Sequence, residues 1–181
     1  MTLSRIILGF LAVRPMTGYD LLRAFATSAA YFWHADKAQI YRTLAKLVDS
    51  GLARTEIVSG KNAPDRVVHH ITRQGGAALR AWLVGPPERQ APRDVFIARL
   101  FFAGDLDDRE ISRVIDAREA EAMAARDALM AIRGETPHPD PASDRPGWLR
   151  SVTLERGLRE HEDHLEWLET LRTGLGVGGD S

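Results

Sequence analysis

Residues 36–51, DKAQIYRTLAKLVDSG, fix a short helix at both ends and give it two unlike faces. Asp36 followed three residues later by Gln39 is a capping-box pattern, in which each side chain satisfies a backbone N–H left open by the first turn. Gly51 supplies the conformational freedom on which helices commonly end. Between these signals Ile40, Leu44, Leu47 and Val48 recur at helical spacing, so one face is built for burial. Gln39, Arg42, Thr43 and Lys46 share the other face, which carries donors and positive charge but no carboxylate. A chain with such a helix must place a core on one side of it and leave the other side open.

The neighbouring segments supply that core. Leu3, Ile6, Ile7, Phe10 and Leu11 form one stripe of a helix that Pro15 ends. Thr17 and Asp20 open a second helix with a Thr/Asp version of the capping box, continued on its inner side by Leu21, Leu22 and Phe25. Tyr31-Phe32-Trp33 reads as packing. Beyond Gly51 the pattern turns extended: residues 52–58 and 66–71 flank the turn-forming Ser59-Gly60-Lys61-Asn62-Ala63-Pro64-Asp65, a β-hairpin with a basic tip. Residues 74–84 form a closing helix. The expected fold is mainly α, with a winged helix-turn-helix and its small β-hairpin wing over residues 1–84.

Gly85-Pro86-Pro87 and Pro92 mark a boundary, and the chain after it is helical in another style. Val95 to Ala103, VFIARLFFA, is apolar nearly all round, which predicts a helix covered on most sides. Ile111, Ile115, Arg118, Ala122, Ala125, Leu129 and Ile132 alternate in steps of four and three. After a Pro-rich linker, Leu154, Leu158, His161, Leu165, Leu168, Arg172 and Leu175 repeat the pattern. Two such seams predict long antiparallel helices that pack across a dimer axis, with Ile111, Ile115, Leu129, Leu158, Leu165 and Leu168 at the interface; an intramolecular bundle is the alternative. Residues 85–175 thus read as a helical dimerisation domain and 176–181 as a disordered tail.

Charge divides along the same line. Residues 1–80 hold 11 Lys and Arg against 5 Asp and Glu, and the remaining residues hold 13 against 20, so a basic half precedes an acidic one. The basic half suits a polyanion. No cysteine is present, which excludes disulfides, thiolate metal sites and a Cys nucleophile. The opening MTLSRIILGFLAV has an apolar run too short to span a bilayer, and Arg14, Asp20 and Arg23 interrupt the region a signal peptide keeps uncharged; a cytoplasmic protein without membrane contact is expected. No phosphate-loop, dinucleotide, nucleophile-elbow or zinc-protease motif occurs, so neither an enzyme nor a cofactor is expected.

The order ILGFLAVRPMTGYDL (7–21), QIYRTLAKLVDSGL (39–52) and VHHITRQG (68–75), followed by VFIARLFFAGDL (95–106) and long terminal helices, resembles the PadR family of bacterial transcriptional regulators. The resemblance runs from Leu3 to Leu171. It implies a homodimer whose two winged helices bind a palindromic operator, most simply as a repressor, and a small aromatic or drug-like effector that releases it. Two positions depart from the family pattern: Arg42 stands where members often have Pro, and His69-His70 stand where an aromatic usually precedes Ile-Thr.

On that reading the open face of the 36–51 helix enters a major groove, whose width admits a helix. Arg42 can pair with guanine, Gln39 with adenine and Thr43 with a thymine methyl, while Lys46 and the Tyr41 hydroxyl reach phosphate. Lys61 and Arg66 flank the hairpin tip, placed for backbone or minor groove, and Thr17 and Gly18 can offer backbone N–H groups to a phosphate. Trp33 and Trp148 are the foremost indoles for stacking an aromatic effector. His161 and His164, at i and i+3 with carboxylates between, are half of a metal site at most and otherwise a pH-sensitive pair, so a metal- or pH-sensing regulator is one alternative function. A winged-helix protein-interaction module is the other.

Overall fold

The computed structural model describes residues 2–29, 31–59, 65–86, 94–135 and 138–177, and the chain divides into two compact units, Met1–Arg89 and Gln90–Ser181. The first unit runs α1 (Thr2–Val13), β1 (Met16–Thr17), α2 (Gly18–Ala24) continued by a π-helical turn (Phe25–Ala29), α3 (Lys37–Asp49), β2 (Ala53–Val58), β3 (Arg66–Ile71) and α4 (Arg73–Leu83). The second contains α5 (Val95–Phe101), a 3-10 turn (Ala103–Asp105), α6 (Asp108–Glu135) and α7 (Arg145–Leu175).

Both predicted capping boxes form. Thr17 Oγ1 accepts from the Asp20 N–H at 3.1 Å while the Asp20 carboxylate accepts from the Thr17 N–H at 2.9 Å. Asp36 and Gln39 make the same reciprocal pair at 2.7 and 3.2 Å. At the far end of α3, Gly51 takes φ +69°, its N–H reaching the Val48 carbonyl and the Leu52 N–H the Leu47 carbonyl. These two bonds are a Schellman end, which satisfies carbonyls that the last turn leaves open. The core of this unit gathers Ile7, Leu8 and Leu11 of α1, Leu21 of α2, Phe25 of the π-turn and Ile40, Leu44 and Leu47 of α3.

The hairpin is antiparallel, with Ala53 opposite Ile71 and Val58 opposite Arg66. A third strand joins it: Met16 and Thr17 pair with His69 and Val68, so the sheet order is β1-β3-β2. This strand ties the entrance of α2 to the wing. The wing tip, with Lys61, lies outside the described residues.

In the second unit three cross-links show that α6 and α7 run antiparallel: Arg172 to Asp116 and Glu119 at 2.8 and 2.7 Å, Arg118 to His164 at 2.9 Å, and Arg133 to Glu155 at 2.8 Å. The seam expected at a dimer axis is closed within one chain. Ile111, Ile115, Leu129, Leu158 and Leu168 are buried in the single protomer, and Leu165 is half-buried. Heptad spacing requires a partner helix but does not say whose, and a hairpin of two long helices supplies it.

Two further expectations are corrected. No residue of α5 is buried; only Phe96 and Leu100 pack on the unit's cluster, and Phe101 and Phe102 are each 81% exposed. One chain covers a single side of this helix. Gly176 and Val177, assigned to a disordered tail, instead end α7 in a second Schellman turn: Gly176 has φ +68°, the Val177 N–H reaches the Arg172 carbonyl, and the Val177 side chain is buried with Ile115 and Leu168. Residues 178–181 lie outside the described residues.

Two adjacent glycines of α4 should respond oppositely to alanine. A Cβ on Gly75 would collide with the Leu52 carbonyl oxygen, whereas one on Gly76 meets nothing within 4 Å. Gly75→Ala should lower unfolding free energy by about 1–3 kcal/mol through overpacking. Gly76→Ala should raise it by about 0.5–1 kcal/mol by removing backbone freedom from the unfolded chain. Urea unfolding of the two variants beside the parent checks both signs.

Candidate nucleic-acid interface

Burial of Ile40, Leu44 and Leu47 turns the opposite face of α3 to solvent. Gln39, Arg42 and Lys46 are exposed and Thr43 is half-buried. Among the described residues Arg42, Lys46 and Arg66 form no ion pair, so these charges are not spent within the fold. The strip is therefore open, donor-rich and cationic, as an element facing a polyanion must be.

The structure also limits what individual residues can do. The Gln39 side-chain oxygen already accepts from the Asp36 N–H at 3.2 Å. A bidentate pair with adenine needs both its oxygen and its NH₂, so it requires release of the cap. The Thr43 hydroxyl donates to the Gln39 carbonyl at 2.7 Å, which leaves its methyl and an oxygen lone pair for a base. Arg42 carries no such commitment among the described residues and is the least constrained side chain of the strip.

Four predicted residues meet in one place. Thr17, Gly18, Tyr41 and Arg66 line a cleft of about 430 Å³ together with Tyr19, Asp20, Val67 and His69. Gly18 is required here: a Cβ would stand 2.5 Å from the Tyr41 ring. That close approach seats Tyr41 against the start of α2 and couples the position of α3 to that of the wing-bound strand. The expectation that Thr17 offers its N–H to a phosphate is corrected, because that N–H is held by the Asp20 carboxylate.

Asp20 is a fixed negative charge in the cleft. The Thr17 backbone and hydroxyl bonds hold its pKa below the usual carboxylate range, with help from the fields of Arg14 and Arg66. Its capping role was legible in the sequence; its place beside Arg66 was not, because the two are brought together only by the β1–β3 pairing. Tyr19 and His69 were likewise missed as lining residues. The alternation of β3 offered a signal for His69, since the strand places it directly across from Met16.

The other predicted residues lie elsewhere. Trp33 packs on the core of the first unit, and Trp148 is half-buried in the first turn of α7 in the second unit, so they do not share an element or a unit. His164 Nε2 accepts from Arg118 Nε at 2.9 Å. Among the described residues no three His, Asp or Glu side chains are grouped to hold a metal ion, and no helix is long and apolar enough to cross a membrane.

A helix-turn-helix with a β-hairpin wing and an open cationic second helix is the architecture of a sequence-reading transcription regulator. Comparison with known proteins identifies which kind. Residues 7–81 match the Transcriptional regulator PadR-like family and residues 92–175 match the family called Virulence activator alpha C-term. The chain thus carries a PadR-like transcriptional-regulator domain followed by a Virulence activator alpha C-term region, the composition of a regulator of PadR type and not of an enzyme. It is 29% identical to the Probable transcriptional regulator Rv1176c of Mycobacterium tuberculosis over 97% of this chain and 98% of that protein. Its fold is shared with Bacillus subtilis PadR solved with operator DNA, at a TM-score of 0.82, 24% identity and coverage of 94% and 97% of the two chains. The same PadR solved with p-coumaric acid matches at 0.76 and 24% over 97% and 99%. The Vibrio cholerae virulence activator AphA matches at 0.72 with 28% identity over 97% and 98%.

The wing should be acid-sensitive. Burial pushes the His69 imidazole below its ordinary pKa of about 6.5, against a hydrogen bond with the Met16 backbone and aided by neighbouring His70. A lowered folded pKa means that the unfolded chain takes up a proton which the folded ring refuses. The resulting stability is present above about pH 6.5 and is lost as pH falls toward the folded value. The melting temperature should drop between pH 7.5 and 5.5, and less steeply in His69→Gln. His164, also lowered by burial and by Arg118, keeps its share in that variant.

Proposed function

We propose that the chain is a homodimeric repressor that binds a palindromic operator and is released by a small effector. The single observation that supports it most is the open face of α3, whose Arg42 and Lys46 form no ion pair among the described residues while Ile40, Leu44 and Leu47 opposite them are buried. On this reading residues 1–84 bind DNA and residues 85–175 dimerise. Arg42 reads guanine, Thr43 a thymine methyl and Gln39 an adenine at the expense of its cap; Lys46 and the Tyr41 hydroxyl hold phosphates. Arg66 and Lys61 track the backbone or minor groove beside the wing, and the start of α2 at Gly18 approaches a phosphate through the cleft it lines with Tyr41.

Dimerisation is assigned to the surface the hairpin seam leaves uncovered. Val95, Ile97, Phe101 and Phe102 are exposed apolar residues on one short helix and its end, a surface that a second copy covers at a gain of about 25 cal/mol per Å². The operator-bound and p-coumaric-acid-bound structures of Bacillus subtilis PadR support both the DNA and the effector parts of this reading. A regulator acting on DNA works in the cytoplasm.

Selection of bound fragments from random DNA should return a palindrome whose half-sites are spaced for two recognition helices about one helical turn apart. Against that site, Arg42→Ala should weaken binding by about 1–3 kcal/mol and relax the preference at one position per half-site. Arg66→Ala should weaken all sequences alike and lower the salt slope by about one per site. Fluorescence anisotropy at several salt concentrations separates the two effects. Wild-type affinity in both variants would remove the assigned contacts.

A further inference from the structure

The cleft at the start of α2 holds a carboxylate that the proposed function leaves without a task. Its lining carries one guanidinium, Arg66, and one carboxylate, Asp20. His69 adds no charge at neutral pH, because burial lowers its pKa. The cleft is therefore electrically balanced, although residues 1–80 hold 11 Lys and Arg against 5 Asp and Glu. We propose that Asp20 limits the affinity of this surface for the DNA backbone: its carboxylate opposes the phosphate that Arg66 and the Tyr41 hydroxyl attract into the same cleft.

Capping by itself does not require the charge. Asp20 Oδ2 accepts both from the Thr17 N–H at 2.9 Å and from the Thr17 hydroxyl at 2.8 Å. Oδ1 accepts no hydrogen bond from any described residue. The same chain closes the capping box of α3 with the neutral Gln39, whose side-chain oxygen accepts from the Asp36 N–H. A box needs an acceptor at this position, and an uncharged one serves. A favourable interaction with the positive start of α2 is the competing reason for the charge. That role affects stability and leaves DNA binding untouched.

The geometry gives the charge a further consequence. Both Thr17 bonds fix the carboxylate in place and, with the fields of Arg14 and Arg66, keep it ionised. Arg66 forms no ion pair among the described residues, so Asp20 sits in its field without consuming it. Gly18 seats the Tyr41 ring at the start of α2, and the β1–β3 pairing brings the wing strand to the same place. A phosphate entering the cleft thus meets a like charge that is tied down and cannot swing away. In a partly wet cleft such a repulsion lowers affinity by about threefold to tenfold at low ionic strength. Backbone attraction is blind to sequence, so reducing it leaves a larger share of operator binding to base contacts such as that of Arg42.

This assignment rests on the placement of DNA against the cleft in the proposed function. The test is fluorescence anisotropy of the full chain, over a range of salt concentrations, with the selected operator and with an equally long duplex of unrelated sequence. The proteins are the parent, Asp20→Asn, Asp20→Gln and Arg66→Ala. Asparagine can set its oxygen where Oδ2 stands and keep both Thr17 bonds, and glutamine repeats the acceptor of the α3 box. Both Asp20 variants should bind both duplexes about threefold to tenfold more tightly at low salt, with a salt slope steeper by up to about one. A weakened cap can lower affinity through stability, which urea unfolding reports, but it cannot steepen the salt dependence. An unchanged slope in the folded Asp20 variants therefore overturns the proposal and leaves the charge to the start of α2. Weaker binding by Arg66→Ala beside that result keeps the cleft against DNA and removes only the role of Asp20. Parental affinity and slope in Arg66→Ala remove the cleft from the DNA interface, and the role of Asp20 with it.

Discussion

The open, cationic face of α3 depends on the burial of three side chains. Ile40, Leu44 and Leu47 are 0, 1 and 2% exposed, each contributing about 1.5–3 kcal/mol to the core. Their spacing leaves α3 no rotational freedom, since a turn of one residue would carry a cation toward α1 and α2. The open face is thus the consequence of a hydrophobic constraint rather than of any attraction at the face itself. The cap at Asp36 and the Schellman end at Gly51 then set where that face starts and stops.

A second constraint links this helix to the wing. Gly18 lets the Tyr41 ring approach the start of α2, and the pairing of Met16 with His69 brings β3 to the same spot. Three segments far apart in the chain converge on one cleft, with Asp20 holding the cap and its charge sitting among Arg14 and Arg66. A shift in any one of them moves the others. His69, whose burial disfavours its charged form, lines the same cleft.

Local chemistry was readable in the amino-acid sequence where a residue acts on its near neighbours. Both capping boxes, the glycine stop, the hairpin and the buried stripe of α3 are of this kind. Contacts that need a distant partner were not. The Met16–Thr17 strand is two residues long and has no periodicity to detect. The α6 and α7 seams showed that partners were needed, but period alone cannot separate a partner in the same chain from one across an axis, and the hairpin won. VFIARLFFA was misjudged for a related reason: apolar composition reports that a surface wants cover, not that its own chain provides it. Val177 was hidden by its glycine neighbours, whose turn-forming role outranked their look of disorder.

The same logic ranks the residues of the open strip. On the proposed reading Gln39 serves both the α3 cap and a base. Releasing Gln39 gives up its half of the capping box, the bond from the Asp36 N–H, which is worth about 0.5–1.5 kcal/mol. Against this stands a gain of about 1–3 kcal/mol from a good bidentate base contact. The net discrimination available from Gln39 is therefore small unless a phosphate takes over the Asp36 N–H. Thr43 is similarly reduced, because its hydroxyl proton is engaged with the Gln39 carbonyl. Arg42 surrenders no bond to a described residue when it turns to a base, so its full interaction is available for discrimination. On the proposed reading, discrimination by this strip therefore rests mainly on Arg42.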